Sequence, residues 1–384
     1  MNFTMTQNVR MLEHPGAAGR IGELMAEAGY RKAFLVCDEG IVKFGIADIV
    51  RDSITKAGLG SVLFAKVLPD PPAELVDEGA GICRSEGCDC VIGIGGGSSI
   101  DTAKGINILR FNEGRILDYA DPSVPMKRAS GLIVVPTTSG TGSELSNGLI
   151  ISDVRNAVKV PILATAGMSE YAVLDSSLTM GMPAGLTAVT GLDVFSHACE
   201  SYTSVLSCTA SDLVCEKIME TVAEYLPTAT LSGSNEEARR RMLCAASLGG
   251  WMLACASAHV GHSAAHVLGA HFHIPHGKAC AMTLPETMRI AAEALPGKIM
   301  RVGSLLGADF TGNESPAEIG SKAAAAYDAF RSSLGVELPS LEKPSPEGLA
   351  SLTAEIVAEP LASLSPVPVT EEVAARILDS VFGA

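Results

Sequence analysis

The chain has 384 residues, 47% hydrophobic and 18% charged, which is enough for two or three domains with sizeable cores. Its formal net charge of -15 and lack of a basic stripe argue against a nucleic-acid partner, and no uncharged run is long and lipophilic enough to cross a bilayer. The opening MNFTMTQNVRMLEH has no apolar core of the secretory kind, and the ten cysteines form no C-x-x-C pair, so reduced thiols and a cytoplasmic location are expected.

Along the first half, short β-rich runs alternate with helical patterns. Residues 32–38 (KAFLVCD) read as a buried strand, followed by a helix near 46–57. A second strand (61–67, SVLFAKV) and the turn VLPDPP lead to a helix near 73–85. CVIGIGGGSS then reads as a strand running into glycine, with a helix continuing through AKGINIL. LIVVPTT (132–138) and YAVLDSS (171–177) are two more strands. Strands alternating with helices predict a parallel sheet covered on both faces.

The pattern changes at MPAGL (182–186), the expected hinge. Beyond it, alanine- and leucine-rich runs such as ASDLVCEKIMETVAEYL and EEVAARILDSVF predict an all-helical domain. LPSLEKPSPEG is a Pro-rich loop between late helices. The expected division is an α/β dinucleotide-binding domain over 1–184 and a helical metal-binding domain over 185–384.

Two loops carry the nucleotide reading. In GIGGGSSIDTAKG, Gly95, Gly96 and Gly97 lie at a strand-to-helix junction, where bare backbone and the free amides of a helix starting near Ser98 suit a pyrophosphate. It is neither G-x-G-x-x-G nor a P-loop, and the alternative is a structural turn. PTTSGTGSE also follows a strand and should reach the same carboxyl edge of the sheet, where parallel α/β sheets bind ligands. Asp38 ends the first strand, where an acid can accept from an adenosine ribose and repel a 2′-phosphate.

Six of the eight histidines fall between His259 and His276. In GLDVFSHACES, Asp193 and His197 are four apart and share a helical face; His262 and His266 repeat that spacing. Gly269 and Pro275 are expected to interrupt the second helix, and His276 to open a new segment. A single histidine in an apolar helix usually only packs, but two such faces in one domain point to a metal. Carboxylate and imidazole suit Fe(II), Zn, Mn or Co. Spacing alone does not choose among His262, His266, His271, His273 and His276.

Taken in order, GGGSSIDTAK, PTTSGTGSE, GLDVFSHACES and GHSAAHVLGAHFHIPHGKACA resemble the iron-containing (group III) alcohol dehydrogenases. The resemblance implies a dinucleotide-binding α/β domain followed by a helical domain, and an NAD(P)-dependent enzyme interconverting a small alcohol and its aldehyde. It implies NAD rather than NADP from Asp38, and a divalent metal, Fe(II) first and Zn second, on Asp193, His197, His262 and His276. His266 matches the family histidine near the nicotinamide that is not a ligand, a candidate catalytic group. Gly95, Gly96, Gly97, Ser98 and Ser99 match the pyrophosphate loop, with Asp101 following. Thr137, Thr138 and Thr141 match cofactor-lining positions, and Lys159 and Leu178 match positions near the ribose. Gly148 stands where some relatives carry a polar substrate contact. A homodimer or an assembly of dimers is implied, with no nucleic-acid or membrane partner. Alternatives are a glycerol dehydrogenase or maleylacetate reductase type of the same scaffold, or a non-catalytic nucleotide-binding scaffold.

Overall fold

The computed structural model describes residues 5–156 and 158–383. The first four residues of the expected N-terminal domain lie outside the described residues. Two compact units are present, one spanning Gln7–Gly181 and the other beginning at Met182 and taking in Met5 and Thr6.

The first unit holds strands β1 (Arg10–Glu13), β2 (Lys32–Val36), β3 (Gly60–Phe64), β4 (Cys90–Gly95), β5 (Leu132–Pro136), β6 (Gly148–Asp153), β7 (Val158–Leu163) and β8 (Tyr171–Leu174). Its helices are α1 (Ile21–Ala28), α2 (Glu39–Lys43), α3 (Ile46–Lys56), α4 (Ala73–Ser85) and α5 (Gly97–Phe111). Six strands form a parallel sheet in the order β1-β8-β5-β4-β2-β3. The central β4 and β5 are buried along their whole length, as strands covered on both faces must be.

From β2 the chain winds outward to β3; from β4 it winds the other way, to β5. The crossover helices therefore diverge, and a crevice opens between the carboxyl ends of β2 and β4. Asp38 follows β2 and the glycine loop follows β4, so both lie at this switch point.

Two features were not anticipated. Every residue of β1 (RMLE) is exposed, so this edge strand carries no apolar alternation. β6 and β7 form a separate antiparallel hairpin, from Gly148↔Leu163 to Asp153↔Val158.

The second unit holds α6 (Ala184–Thr203), α7 (Thr209–Leu231), α8 (Glu236–Cys255), α9 (Val260–Phe272), α10 (His276–Ala294), α11 (Pro296–Leu305), α12 (Pro316–Ser333), α13 (Pro346–Ala358) and α14 (Glu371–Phe382). No single helix among the described residues is long and apolar enough to cross a membrane. One core packs Phe195, Met219, Leu226, Met288 and Tyr327 from α6, α7, α10 and α12; a second joins α9, α10, α13 and α14 through Leu268, Ile290, Ile356 and Ile377.

The helix predicted to break at Gly269 runs through it to Phe272 and ends at His273, whose φ of 53° is left-handed. A single glycine costs a helix only about 1 kcal/mol, which the packed α9 tolerates. Pro275 then caps α10, so the two helices bend apart immediately before His276.

Helix α10 approaches α6 closely because Gly277 has no side chain: a Cβ there would sit 2.6 Å from the Val189 carbonyl oxygen. Gly277→Ala is therefore expected to destabilise the protein by about 1–3 kcal/mol, as overpacking usually does. A denaturation midpoint equal to that of the parent would show that α10 can shift without cost.

Candidate active site

In the first unit the two predicted loops pack against each other. Gly95 has a φ of 142°, a backbone conformation open essentially to glycine alone, and a Cβ there would lie 2.5 Å from Ser99 Oγ and 3.7 Å from Asp38 Oδ2. A Cβ on Gly96 or Gly97 would meet Thr138 (3.2 Å) or Thr141 (2.8 Å). Thr137 N–H donates to the Gly95 carbonyl at 3.0 Å. The first turn of α5, with Ser98 and buried Ser99, thus lies between Asp38 on one side and the threonines on the other. Asp38 also caps α2, accepting from Ile41 N–H at 3.2 Å.

Asp101 faces inward. It accepts from the Ser143 hydroxyl and, at 2.9 Å, from Ile150 N–H. Lys104, one turn on and equally buried, donates to Ser143 Oγ, Ser146 O and, at 2.7 Å, the Gly148 carbonyl. Burial lowers the Lys104 ammonium to about 8 against the opposing pull of Asp101 and Glu144. This polar network ties α5 to the loop and hairpin over 143–150. Lys159, on β7, is exposed and pairs with Asp70 at 2.6 Å. Leu178 is half-buried against the sheet core, just beyond β8.

In the second unit three helices each present an i, i+4 pair: Asp193 and His197 on α6, His262 and His266 on α9, His276 and Cys280 on α10. Asp193 Oδ1 lies 3.5 Å from His197 Nε2, 3.5 Å from His276 Nε2 and 3.9 Å from His262 Nε2. It is buried and accepts no hydrogen bond. An oxygen so placed, facing three ring nitrogens, suits a cation between them. The His197 and His262 rings stack at 4.9 Å, and His266 stacks on His276 at 5.5 Å.

Burial would raise the Asp193 carboxyl, but the three histidines outweigh it and hold the group below its usual range. Burial lowers His197 to about 4, Asp193 opposing, so its ring is neutral and able to ligate at neutral pH.

Two carboxylates not anticipated from the sequence support these rings. Glu200 is fully buried on α6 and accepts from His259 N–H (2.9 Å), His262 N–H (3.2 Å) and His262 Nδ1 (2.6 Å). A neutral His262 that donates Nδ1–H to Glu200 has Nε2 free toward Asp193, the tautomer that a metal ligand needs. Burial would raise Glu200, yet His262 and His259 hold it at about 2. Glu200 lies seven residues after Asp193, on the same helical face, so the stripe Asp193–His197–Glu200 was its sequence signal. Glu359 pairs with His266 Nδ1 at 3.0 Å and accepts from Ser263 Oγ at 2.8 Å.

The other three histidines of the 259–276 stretch lie outside this cluster. His259 packs against Thr203 Oγ1 at 2.9 Å, His271 pairs with Glu355 at 2.8 Å on the surface, and His273 ends α9.

Comparison with known proteins bears on both units. Residues 8–176 match the family model "Iron-containing alcohol dehydrogenase", and residues 187–381 match "Fe-containing alcohol dehydrogenase family, C-terminal". The chain is 35% identical over 352 residues to the choline dehydrogenase of Bacillus subtilis, covering 90% of this chain and 86% of that one. It is 32% identical to the NAD-dependent methanol dehydrogenase of Bacillus methanolicus, with 84% of each chain covered. The crystal structure of a 1,3-propanediol oxidoreductase superposes over 100% of both chains, with a TM-score of 0.92 at 29% identity.

Proposed function

Because the chain belongs to the iron-containing alcohol dehydrogenase family, we propose that it interconverts a small primary alcohol and its aldehyde, using NAD and a divalent metal. The observation that carries this reading is the convergence of Asp193, His197, His262 and His276 around a buried carboxylate oxygen with no other partner. A divalent ion on these four residues would supply Lewis acidity to the substrate oxygen, with NAD as hydride acceptor. Iron(II) and zinc both suit a carboxylate–imidazole set.

The chain's own groups have distinct tasks in this reading. Glu200 fixes the His262 ring. Asp38, at the switch point, accepts from the ribose and disfavours a 2′-phosphate, which selects NAD over NADP. Gly95, Gly96, Gly97, Ser98 and Ser99 give the pyrophosphate bare backbone and the amides of α5. Thr137, Thr138 and Thr141 flank that loop, and Lys159 and Leu178 are assigned to the ribose side. Asp101 acts at one remove, holding the loop through Ser143.

His266 is assigned the proton relay. With its Nδ1–H donating to Glu359, Nε2 is left to accept the hydroxyl proton. His266→Ala is expected to lower the rate by about 10²–10⁴-fold and flatten its pH profile, the usual range for a lost general base. An unchanged rate and profile would remove this role.

The function itself is tested by NADH absorbance with a panel of short alcohols and aldehydes that includes methanol, 1,3-propanediol and choline. Activity should vanish on chelation and return with Fe(II) or Zn. Full activity in metal-free protein would overturn the proposal.

A further inference from the structure

We propose that Cys280 is itself a metal ligand, a thiol donor that biases this site toward zinc or cobalt and away from iron(II). The inference rests on the reading above that these side chains hold a divalent ion.

Cys280 lies one turn after His276 on α10 and is 1% exposed. Its Sγ is 3.7 Å from His262 Nε2 and 3.5 Å from His276 Nε2. Metal–sulfur bonds of about 2.3 Å and metal–nitrogen bonds of about 2.0–2.1 Å at a tetrahedral angle give a sulfur–nitrogen edge of about 3.6 Å. The corresponding nitrogen–oxygen edge is about 3.4 Å, against 3.5 Å from Asp193 Oδ1 to His276 Nε2. One donor atom each from Asp193, His262, His276 and Cys280 all fall within 4.8 Å of one another. The spacing is that of ligands around one ion.

The chemistry agrees. The thiol faces a carboxylate and two imidazoles. A soft sulfur donor discriminates among first-row metals where imidazole and carboxylate do so weakly, and it favours zinc. Ligation forms a metal–sulfur bond and releases the thiol proton to solvent, with no change in oxidation state. Cys280 then completes a four-donor set with Asp193, His262 and His276, and His197 lies beside it, 3.5 Å from Asp193 Oδ1.

The test is a cobalt spectrum of the full chain, stripped by chelation and reloaded with one equivalent of Co(II). Thiolate-to-cobalt charge transfer gives an intense near-ultraviolet band that imidazole and carboxylate do not give. The expected result is that band in the parent protein, its loss in Cys280→Ser and Cys280→Ala, and weaker visible cobalt bands retained in both variants. Competition should show the zinc preference over iron(II) falling about tenfold or more in Cys280→Ser, since even outer partners of a metal site cost 10–100-fold.

Visible cobalt bands without the charge-transfer band in the parent would overturn the thiol ligand and leave the metal site standing. A charge-transfer band that survives in Cys280→Ser would come from another cysteine and would also overturn it. No cobalt bands and no bound metal would overturn both the thiol ligand and the metal reading. Absence of the band from the parent overturns the thiol ligand even where a variant fails to fold, and the two substitutions, serine and alanine, give two chances of a folded variant in which its loss is read.

Discussion

Asp193→Ala is expected to abolish stoichiometric metal binding and to lower turnover by about 10³-fold or more. That corresponds to the several kcal/mol of charge stabilisation that a catalytic metal supplies, at 1.36 kcal/mol per factor of ten. The reason is geometric. Asp193 Oδ1 is the atom that His197, His262 and His276 all face, and it is the negative charge nearest those three ring nitrogens. Without it, no carboxylate remains among the ligands, and the imidazoles and the Cys280 thiol must hold a buried dication with one negative donor fewer. Asp193→Asn keeps the shape and removes the charge. It should lose metal as the alanine variant does while melting close to the metal-free parent, because Oδ1 accepts no hydrogen bond whose loss would be felt. Elemental analysis of the purified variants and thermal melts of metal-free protein are the measurements. Full metal occupancy in Asp193→Ala would remove Asp193 from the ligand set.

What was legible in the sequence follows from what local spacing encodes. β4 and β5 were readable because strands buried on both faces are unbroken apolar runs. β1 was not, because an exposed edge strand needs no apolar residue at any position. The β6–β7 hairpin was missed although β6 alternates between buried and exposed positions. The i, i+4 pairs on α6 and α9 were visible because both members share one helix. Cys280 bears the same relation to His276, but a cysteine in an apolar helix ordinarily reads as packing. Glu359 had no signal of this kind. It is 93 residues from His266, and only tertiary folding brings it there. The same holds for His271, whose partner Glu355 lies 84 residues away.

Glu200→Gln should separate the two tasks that Glu200 performs. One task is structural: a buried carboxylate accepting from His259 N–H and His262 N–H replaces hydrogen bonds those amides would otherwise make to water. The other is chemical: accepting from His262 Nδ1–H fixes the tautomer that leaves Nε2 free. Glutamine keeps one oxygen for the two backbone donors. Its amide nitrogen then faces His262 Nδ1 and donates to it, which forces the proton onto Nε2 and blocks ligation. Metal affinity is expected to fall about 10–100-fold, as for other losses of a carboxylate behind a ligating histidine. The metal-free Glu200→Gln protein should melt close to the parent. Glu200→Ala should lose affinity too, and about 3 kcal/mol or more of stability as well, because three buried donors (His259 N–H, His262 N–H and His262 Nδ1) lose their acceptor. Metal titration and denaturant melts of both variants check the split. If Glu200→Gln binds metal as tightly as the parent, the His262 tautomer is set by something other than Glu200.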